Sequence, residues 1–383
     1  MDLNINARPR RILIVVALIA GAAYAFRARL VTWFFRSNRP PSAVAGSRLE
    51  QIGRGSVDVV AEGLEVPWEI RFLPDGGILV TERRGSLVLL SAGQRSSYSV
   101  PGVHQTGEGG LMGLALHPEF ARNGLIYVCL TAQAANGLEN RVERYRFGPD
   151  GLAERRVIFD GIPAASFHDG CRLEFGPDGL LYITTGDAGG ADRAQDRSSP
   201  AGKILRLTAD GRIPEDNPFG SAVYTYGHRN PQGLTFDDGG RLWATEHGPS
   251  GLQSGLDELN RIEAGGNYGW PVIQGSETGP NMVSPVLSSG PGYTWAPAGA
   301  AYHDGRIFFG GLRGEALYEV RLTGDRPPEL RVHFHDDFGR IRAVRFGPEG
   351  MLYFTTSNRD GRGRRRPGDD RMLRVDASLI GDP

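Results

Sequence analysis

The chain has 383 residues, 40% of them hydrophobic and 23% charged, with 55 glycines, 25 prolines and only two cysteines. The hydrophobic content excludes a disordered chain, and the many Gly and Pro residues indicate numerous tight turns. A formal net charge of -1 provides no global field that would favour nucleic acid as a partner. Two cysteines exclude a disulfide-dense scaffold. Cys129 and Cys171 either pair in an oxidising compartment or stay as buried thiols, and we favour thiols because free cysteine is commonly buried.

The first 36 residues are predicted to be a secretory signal peptide or an uncleaved membrane anchor. Arginines precede an apolar run from Ile12 to Phe26, and Ala23-Tyr24-Ala25 has the pattern of a cleavage site. The run is short for a membrane-spanning helix, which needs about 20 residues. Because Trp33 follows in a second apolar stretch and suits a membrane interface, we favour the anchor. We expect a periplasmic or other extracytoplasmic protein, secreted or attached to the membrane by its N-terminus. Residues 37–54 are predicted to be a linker.

A repeated unit predicts the fold of residues 55–383. An apolar strand, a turn rich in Pro, Asp and Gly, and a second apolar strand recur six times, as in LEFGPDGLLY from Leu173 and VRFGPEGMLY from Val344. Pro and Gly supply the backbone angles that a hairpin turn requires. The first strand of each copy carries an anchor residue, and the anchors lie about 44 to 66 residues apart, at Phe72, Leu116, Phe175, Phe236, Tyr302 and Phe346. This spacing predicts a single all-β domain, a six-bladed β-propeller, with a sandwich of stacked hairpins as the alternative.

Loops that enter the inner strands of different blades meet at one end of a propeller's channel. Such loops, or their equivalents, carry one His, one Glu and four arginines: His168, Glu108, Arg229, Arg313, Arg340 and Arg342. A lone His or Arg is more often structural or solvated, but four arginines in one pocket repel one another unless an anion lies among them. Guanidinium groups bind carboxylates in a bidentate manner, so a polyanionic ligand carrying carboxylate or phosphate is predicted.

A second group of residues is compatible with calcium. Glu246-His247-Gly248-Pro249 is followed by an acidic segment at 257–260 and a Gly-rich segment at 265–271. Turns of this kind direct backbone carbonyls inward, and Ca²⁺ prefers six to eight oxygen ligands. On composition alone a tight turn capped by Asp and Asn is favoured.

Six segments of this sequence resemble the soluble PQQ-dependent glucose and aldose sugar dehydrogenases. They are GEGGLMGLALHPEF at 107–120, YITTGDAG at 182–189, GHRNPQGL at 227–234, EHGP at 246–249, DELN at 257–260 and GGNYGWP at 265–271. The similarity runs from about residue 60 to the end of the chain. It implies a six-bladed propeller that holds pyrroloquinoline quinone (PQQ) and Ca²⁺ and passes a hydride from the anomeric carbon of an aldose to the quinone, giving a lactone. An unidentified electron acceptor would complete the cycle.

The resemblance also implies roles for individual residues. His168 matches the general base, and Asp187 matches the acid that orients it. The residues that match quinone contacts are Arg229, Asn230, Arg340 and Arg342. The backbone carbonyls of Gly248 and Pro249 match ligands of the Ca²⁺ beside the quinone, whereas Glu258 and the backbone of Tyr268 match a second, structural Ca²⁺ site.

Two positions depart from the family pattern. Glu108 stands where glucose-specific members have a glutamine facing the quinone, and this carboxylate would repel a polyanion unless it is paired or protonated. Arg313 replaces a lysine, which keeps the charge and changes the geometry. The long substrate and dimerisation loops of glucose-specific members are not evident, which favours the broader aldose group.

Two other functions remain open at this stage. A calcium-dependent lactonase on a similar propeller would need carboxylate and amide ligands around a central metal and no arginine cluster. A non-catalytic binding propeller would have no need for His168 together with the arginines.

Overall fold

A computed structural model describes residues 39–40, 42–135, 137–249, 254–324 and 327–380. The predicted signal peptide or anchor, residues 1–36, lies outside the described residues. Within the described ranges, no helix is both long and apolar enough to cross a membrane.

The described residues form six sheets arranged as the blades of a propeller, and all strand pairs are antiparallel except one at an outer edge. Two strands precede the first blade, at Val44–Ala45 (β1) and Val57–Ala61 (β2). Blades 1 to 3 comprise β3 (Pro67–Phe72), β4 (Ile78–Glu82), β5 (Ser86–Ser91), β6 (Gln94–Ser99), β7 (Leu111–Leu116), β8 (Leu125–Ala134), β9 (Gly137–Gly148), β10 (Gly151–Pro163), β11 (Leu173–Phe175), β12 (Leu181–Thr185), β13 (Lys203–Leu207) and β14 (Val223–Tyr226).

Blades 4 to 6 continue in the same order along the chain. They comprise β15 (Pro231–Phe236), β16 (Leu242–Glu246), β17 (Glu258–Ile262), β18 (Leu287–Ser288), β19 (Pro297–His303), β20 (Arg306–Gly311), β21 (Ala316–Arg321), β22 (Glu329–His333), β23 (Ile341–Phe346), β24 (Met351–Thr356) and β25 (Met372–Asp376). Helix within the described ranges is confined to α1 (Leu49–Ile52), α2 (Phe120–Asn123) and single 3₁₀ turns at Arg54–Ser56 and Ala191–Ala194. The predicted all-β, six-bladed propeller is therefore confirmed, with each repeat unit forming the two innermost strands of one blade.

The ring closes by pairing the two ends of the domain. Strand β2, from the N-terminal side, pairs antiparallel with β25 and becomes the outer strand of blade 6. Each inner strand contacts the next, and the last, β23, contacts β3 of blade 1. Each inner strand is the edge of its sheet and pairs with one strand only, but its neighbours around the ring cover it, so these edges are short and protected.

Glycines in the inner strands allow neighbouring blades to pack closely. A Cβ added at Gly113 in β7 would lie 2.1 Å from the carbonyl oxygen of Cys171, and one added at Gly233 in β15 would lie 2.4 Å from that of Ala298. Contacts shorter than 3 Å to backbone require the backbone to move. These two glycines are therefore required where the backbones of adjacent blades meet.

A buried charge network crosses the central channel. Arg71 of blade 1 donates to Glu174 of blade 3 at 2.9 Å, and Arg345 of blade 6 donates to the same carboxylate at 2.9 Å. Arg172, which stacks over the Trp68 ring at 4.0 Å, pairs with Glu69 of blade 1. Burial disfavours the charged form of Glu69, but the surrounding guanidiniums lower its pKa to about 2. Side chains from non-adjacent blades can meet only across the axis. This network therefore fills the middle of the channel, and any ligand site must lie at one of its ends.

Residues 42–56 lie against the outside of blades 5 and 6. Strand β1 pairs parallel with β22, and Gly46 donates its N–H to the carbonyl of Val332 at 3.0 Å. The carboxylate of Asp337 accepts from the backbone N–H of Leu49 at 3.1 Å. The described part of the predicted linker, residues 37–54, is thus attached to the propeller rather than extended away from it.

The two cysteines are joined, contrary to our preference for free thiols. Cys129 of β8 and Cys171, just before β11, form a disulfide with their Cα atoms 5.5 Å apart. Composition cannot show that two buried cysteines 42 residues apart lie opposite each other where blades 2 and 3 meet. The bond also anchors the loop that carries His168, three residues before Cys171.

Replacing both cysteines by serine should lower the free energy of unfolding by on the order of 2–4 kcal/mol, because the crosslink restricts the unfolded chain. Thermal and urea denaturation of the variant and of dithiothreitol-treated wild type should show the same loss. Two reactive thiols in denatured, unreduced wild-type protein would contradict the assignment.

Candidate active site

The inner strands all begin at one end of the channel, which we call the mouth. A cavity of about 260 Å³ opens there. Its lining comes from five blades and includes Glu108, His168, His247, Asp257, Arg313 and Arg340. The loops of Glu108, His168, Arg313 and Arg340 therefore do meet in one pocket. Arg229 instead lines a smaller neighbouring cavity, and Arg342 is buried behind the lining.

His168 is held in a defined orientation above this cavity. Its Nδ1 lies 2.8 Å from Oδ1 of Asp187, and Nε1 of Trp270 donates to Oδ2 of the same carboxylate at 2.9 Å. Burial opposes ionisation of Asp187, but these hydrogen bonds keep its pKa below the usual value. With Nδ1–H donated to an ionised carboxylate, Nε2 of the neutral imidazole is an acceptor.

Arg229 and Asn230 lie on the loop that leads into β15. Glu246 accepts the backbone N–H of Arg229 and also binds Nδ1 of His228 at 2.7 Å, which fixes this loop. The Arg229 guanidinium stacks over Trp270 with its carbon 5.3 Å from the ring centroid, and burial lowers its pKa. Asn230 accepts the N–H of Gly170 at 3.1 Å and so joins the loop of blade 4 to that of His168.

The arginines of blade 6 are balanced within the protein, which corrects one step of the sequence argument. Arg340 donates to the carboxylate of Asp360 from Nε and Nη2 at 2.9 and 2.8 Å, and Nη2 of Arg342 lies 3.5 Å from it. Asp360 is almost fully buried, and the two guanidiniums lower its pKa to about 2 despite its desolvation. The sequence argument that these arginines repel one another unless an anion binds was therefore wrong for Arg340 and Arg342, because Asp360 supplies the negative charge.

Positive charge nevertheless remains in excess around Arg342. Burial, with the neighbouring Arg83 and Arg340, lowers its pKa to about 9 in spite of Asp360. Arg342 is thus still protonated near neutral pH, and an added anion would further favour its charged form.

Glu108 is paired at the rim of the cavity. Arg362 donates to one carboxylate oxygen, and the backbone N–H of His168 donates to the other at 3.1 Å. Burial raises its pKa, but the guanidinium outweighs this and brings it to about 2. The carboxylate that would repel a polyanion is therefore ionised and neutralised by an arginine.

A buried acid organises the turn at Gly248 and Pro249. Asp257 accepts the N–H of Gly248 at 2.8 Å, and it also accepts from the hydroxyl of Thr294 at 2.7 Å and the N–H of Trp295 at 2.6 Å. One carboxylate thus connects the turn after β16 to the loop entering β19. Arg313 lies beside it, at the turn between β20 and β21.

Glu258 and Tyr268 line a second, smaller cavity that also includes Gly248 and Pro249. Glu258 accepts the N–H of Gly275 at 2.9 Å, and burial next to Glu246 raises its pKa to about 8. Two facing carboxylates destabilise each other unless one is protonated or a cation binds. Across the described residues, no three His, Cys, Asp or Glu side chains form a metal-binding cluster.

Residues 64–365 match the glucose/sorbosone dehydrogenase family. The chain belongs to this family. It is 32% identical over 341 residues to the aldose sugar dehydrogenase YliI of Escherichia coli (strain K12), covering 80% of this chain and 91% of that protein. Quinoprotein glucose dehydrogenase B of Acinetobacter calcoaceticus is 32% identical over 297 residues, 67% of this chain and 61% of that protein.

Solved structures of this family have the same fold. The PQQ-bound form of aldose sugar dehydrogenase from Streptomyces coelicolor is 40% identical, covers 84% of this chain and 98% of its own, and superposes with a TM-score of 0.77. This glucose/sorbosone dehydrogenase family member thus resembles aldose and glucose dehydrogenases along nearly all of its propeller.

Several residues at the mouth were not predicted from the sequence. Asp360 and Arg362 lie in an arginine-rich segment whose composition is typical of a solvated loop. Asp257 and Trp270 belong to the family motifs, but the sequence assigned no role to either side chain. His247 was also overlooked; burial lowers its pKa to about 3, so it is neutral, and its Nε2 has no hydrogen-bond partner among the described residues.

Asp360→Asn should lower the free energy of unfolding by about 3–5 kcal/mol, because it leaves two buried guanidiniums without their counter-ion. The wild-type advantage should be complete above pH 3.8, the usual pKa, and should disappear as the pH falls towards 2, where Asp360 becomes protonated in the folded protein. Urea denaturation at several pH values measures both effects.

The matched control is Asp210→Asn. Asp210 pairs with Arg144 at 2.8 Å but its side chain is 51% exposed, so its loss should cost less than about 1 kcal/mol. Equal stabilities of the two variants would contradict the role of Asp360.

Proposed function

We propose that this protein is a calcium-assisted, PQQ-dependent aldose dehydrogenase that oxidises the anomeric hydroxyl of aldose sugars to lactones. The observation that carries the proposal is the His168–Asp187 pair at a cavity that guanidinium groups surround. Similarity to aldose and glucose dehydrogenases supports the same substrate class.

The residues at the mouth fit a planar polyanion. Several buried polar atoms there have no hydrogen-bond partner among the described residues, namely Arg229 Nε, Asn230 Nδ2 and His247 Nε2. Unpartnered buried polar atoms are costly and are normally satisfied by a ligand or water. Arg229, Asn230, Arg340 and Arg342 would hold the carboxylates of PQQ, and Gly248 and Pro249 would supply carbonyl oxygens to Ca²⁺. When bound, the quinone accepts the hydride and Ca²⁺ polarises its carbonyl.

His168 supplies the acid–base step on the sugar. Its Nε2 accepts the proton of the anomeric hydroxyl as the C–H bond of the anomeric carbon breaks. Asp187 keeps the ring in the tautomer with Nε2 unprotonated and stabilises the imidazolium that forms. Trp270, hydrogen-bonded to the far oxygen of Asp187 and stacked on Arg229, connects this pair to the residues that would hold the cofactor.

Glu258 and Glu246 support a second, structural Ca²⁺ site with the backbone of Tyr268. A cation there would relieve the repulsion that raises the pKa of Glu258. The proposed site lies next to the Gly248–Pro249 turn, so it would also fix that turn.

An extracytoplasmic location is part of the proposal. The disulfide between Cys129 and Cys171 supports an oxidising compartment, in agreement with the predicted signal peptide or anchor.

The test is reconstitution of the apoprotein with PQQ and Ca²⁺, followed by dye reduction with a panel of aldoses. Activity should require both additions, and His168→Gln should bind PQQ with wild-type affinity while turnover falls roughly 10²–10⁴-fold. His303→Gln, an exposed histidine at the opposite end of an inner strand, is the matched control and should keep full turnover.

Other outcomes identify the alternatives. Saturable sugar binding with no dye reduction would indicate a binding propeller, and hydrolysis of lactones without PQQ would indicate a lactonase. Near-normal turnover of PQQ-loaded His168→Gln would remove His168 from the chemistry.

A further inference from the structure

A third cavity, of about 90 Å³, lies beside the mouth and is lined mainly by arginines. Arg83, Arg84, Arg359 and Arg365 surround it, with Glu65 as the only acidic residue of its lining. We call these four arginines the basic rim. For a chain with a formal net charge of -1, this is a marked local excess of positive charge.

The basic rim is only partly neutralised by the protein. Arg84 lies 3.4 Å from Glu65, and Arg83 donates to the backbone carbonyl of Asp360 at 3.3 Å. The side chains of Arg359 and Arg365 make no hydrogen bond or ion pair with any residue that the structure describes. Desolvation lowers the pKa of Arg83, so an anion brought to the rim would be favourable.

The segment that carries the rim is held in place on both sides. Asp360 is buried against Arg340, and Arg366 donates to the backbone carbonyl of Asp336 at 2.9 Å. Between these fixed points Arg364 and Arg365 are exposed. The arginines are therefore presented to solvent from an ordered support, which reduces the entropy lost on binding.

The rim and the mouth share a wall. Arg362 pairs with Glu108 and lines the mouth, while Arg365, three residues later, lines the rim cavity. Arg83 contacts Asp360, whose carboxylate binds Arg340 at the mouth. A partner on the rim would thus lie next to any cofactor at the mouth.

We infer that the basic rim is the docking surface for a negatively charged one-electron acceptor, a small redox protein with an acidic face. This inference rests on the proposed function, in which oxidation of one aldose releases two protons and two electrons. Two successive transfers, each reducing one acceptor by one electron, balance each turnover. The rim suits a protein better than a free ion, because its cavity is small and its exposed arginines extend beyond it.

Direct anion binding tests the rim without any redox step. Calorimetric titration of the apoprotein with hexacyanocobaltate(III), a redox-inert trianion, should show saturable binding that weakens about tenfold in Arg359→Gln/Arg365→Gln, since charge-assisted contacts are lost. Arg122→Gln is the control, because Arg122 is exposed on α2, at the opposite end of β7 from the mouth. Equal affinity in all three proteins would overturn the anion site, whether or not the protein oxidises sugars.

Acceptor kinetics of the reconstituted enzyme test the role. In the double variant, kcat/KM should fall about tenfold for hexacyanoferrate(III) and for a small acidic cytochrome, with steep dependence on ionic strength. The kcat/KM for hexaammineruthenium(III), a cationic acceptor, and the KM for the sugar should both be unchanged.

Two outcomes would contradict the assignment. A lower kcat/KM for hexacyanoferrate(III) but not for the acidic cytochrome would overturn the protein partner, and an equal loss with the cationic acceptor would overturn charge-specific docking. Absence of any sugar oxidation would count against the proposed function and leave the calorimetric result to decide the anion site.

Discussion

Closure of the ring by β2 against β25 is the constraint on which the rest of this structure depends. Loops separated by up to about 250 residues in the chain face one another only when all six blades are closed around the axis. Glu108 of the second blade meets Arg362 of the sixth in this way, and His168 of the third meets the Trp270 loop of the fourth. An open ring would separate these pairs and expose the apolar faces with which the first and last blades pack together.

Buried charge is then arranged at two levels of the same channel. Along the axis, Glu69 and Glu174 are matched by three arginines, and the network closes the channel. At the mouth, Asp360 and Glu108 neutralise part of the arginine charge, while Arg229 and His247 each keep a nitrogen that no described residue partners. Removing one partner of a buried ion pair costs much more free energy than the intact pair contributes to stability. The acids that pair with these arginines therefore determine whether the mouth keeps its shape without a ligand.

The sequence predicted the propeller because its evidence is local and repeated. Pro, Asp and Gly at each turn and a hydrophobic anchor such as Phe175 or Phe346 identify a hairpin without knowledge of its neighbours. The convergence of His168, Arg229 and Arg340 was also predictable, since loops entering inner strands of a closed propeller share one mouth. Their partners were not, because the pairing of Arg340 with Asp360 and of Glu108 with Arg362 depends on side-chain positions that no spacing rule provides. The same holds for the disulfide, which joins residues from two blades.

The roles of His168, of the arginines and of the Gly248–Pro249 turn are proposals that one measurement addresses together. A crystal structure of the apoprotein reconstituted with PQQ and Ca²⁺ should show the quinone in the cavity at the mouth, with its carboxylates against Arg229, Arg340 or Arg342 and with Nε2 of His168 facing the bound molecule. Quinone bound elsewhere, or a fully formed mouth with no quinone at saturating concentration, would contradict the account.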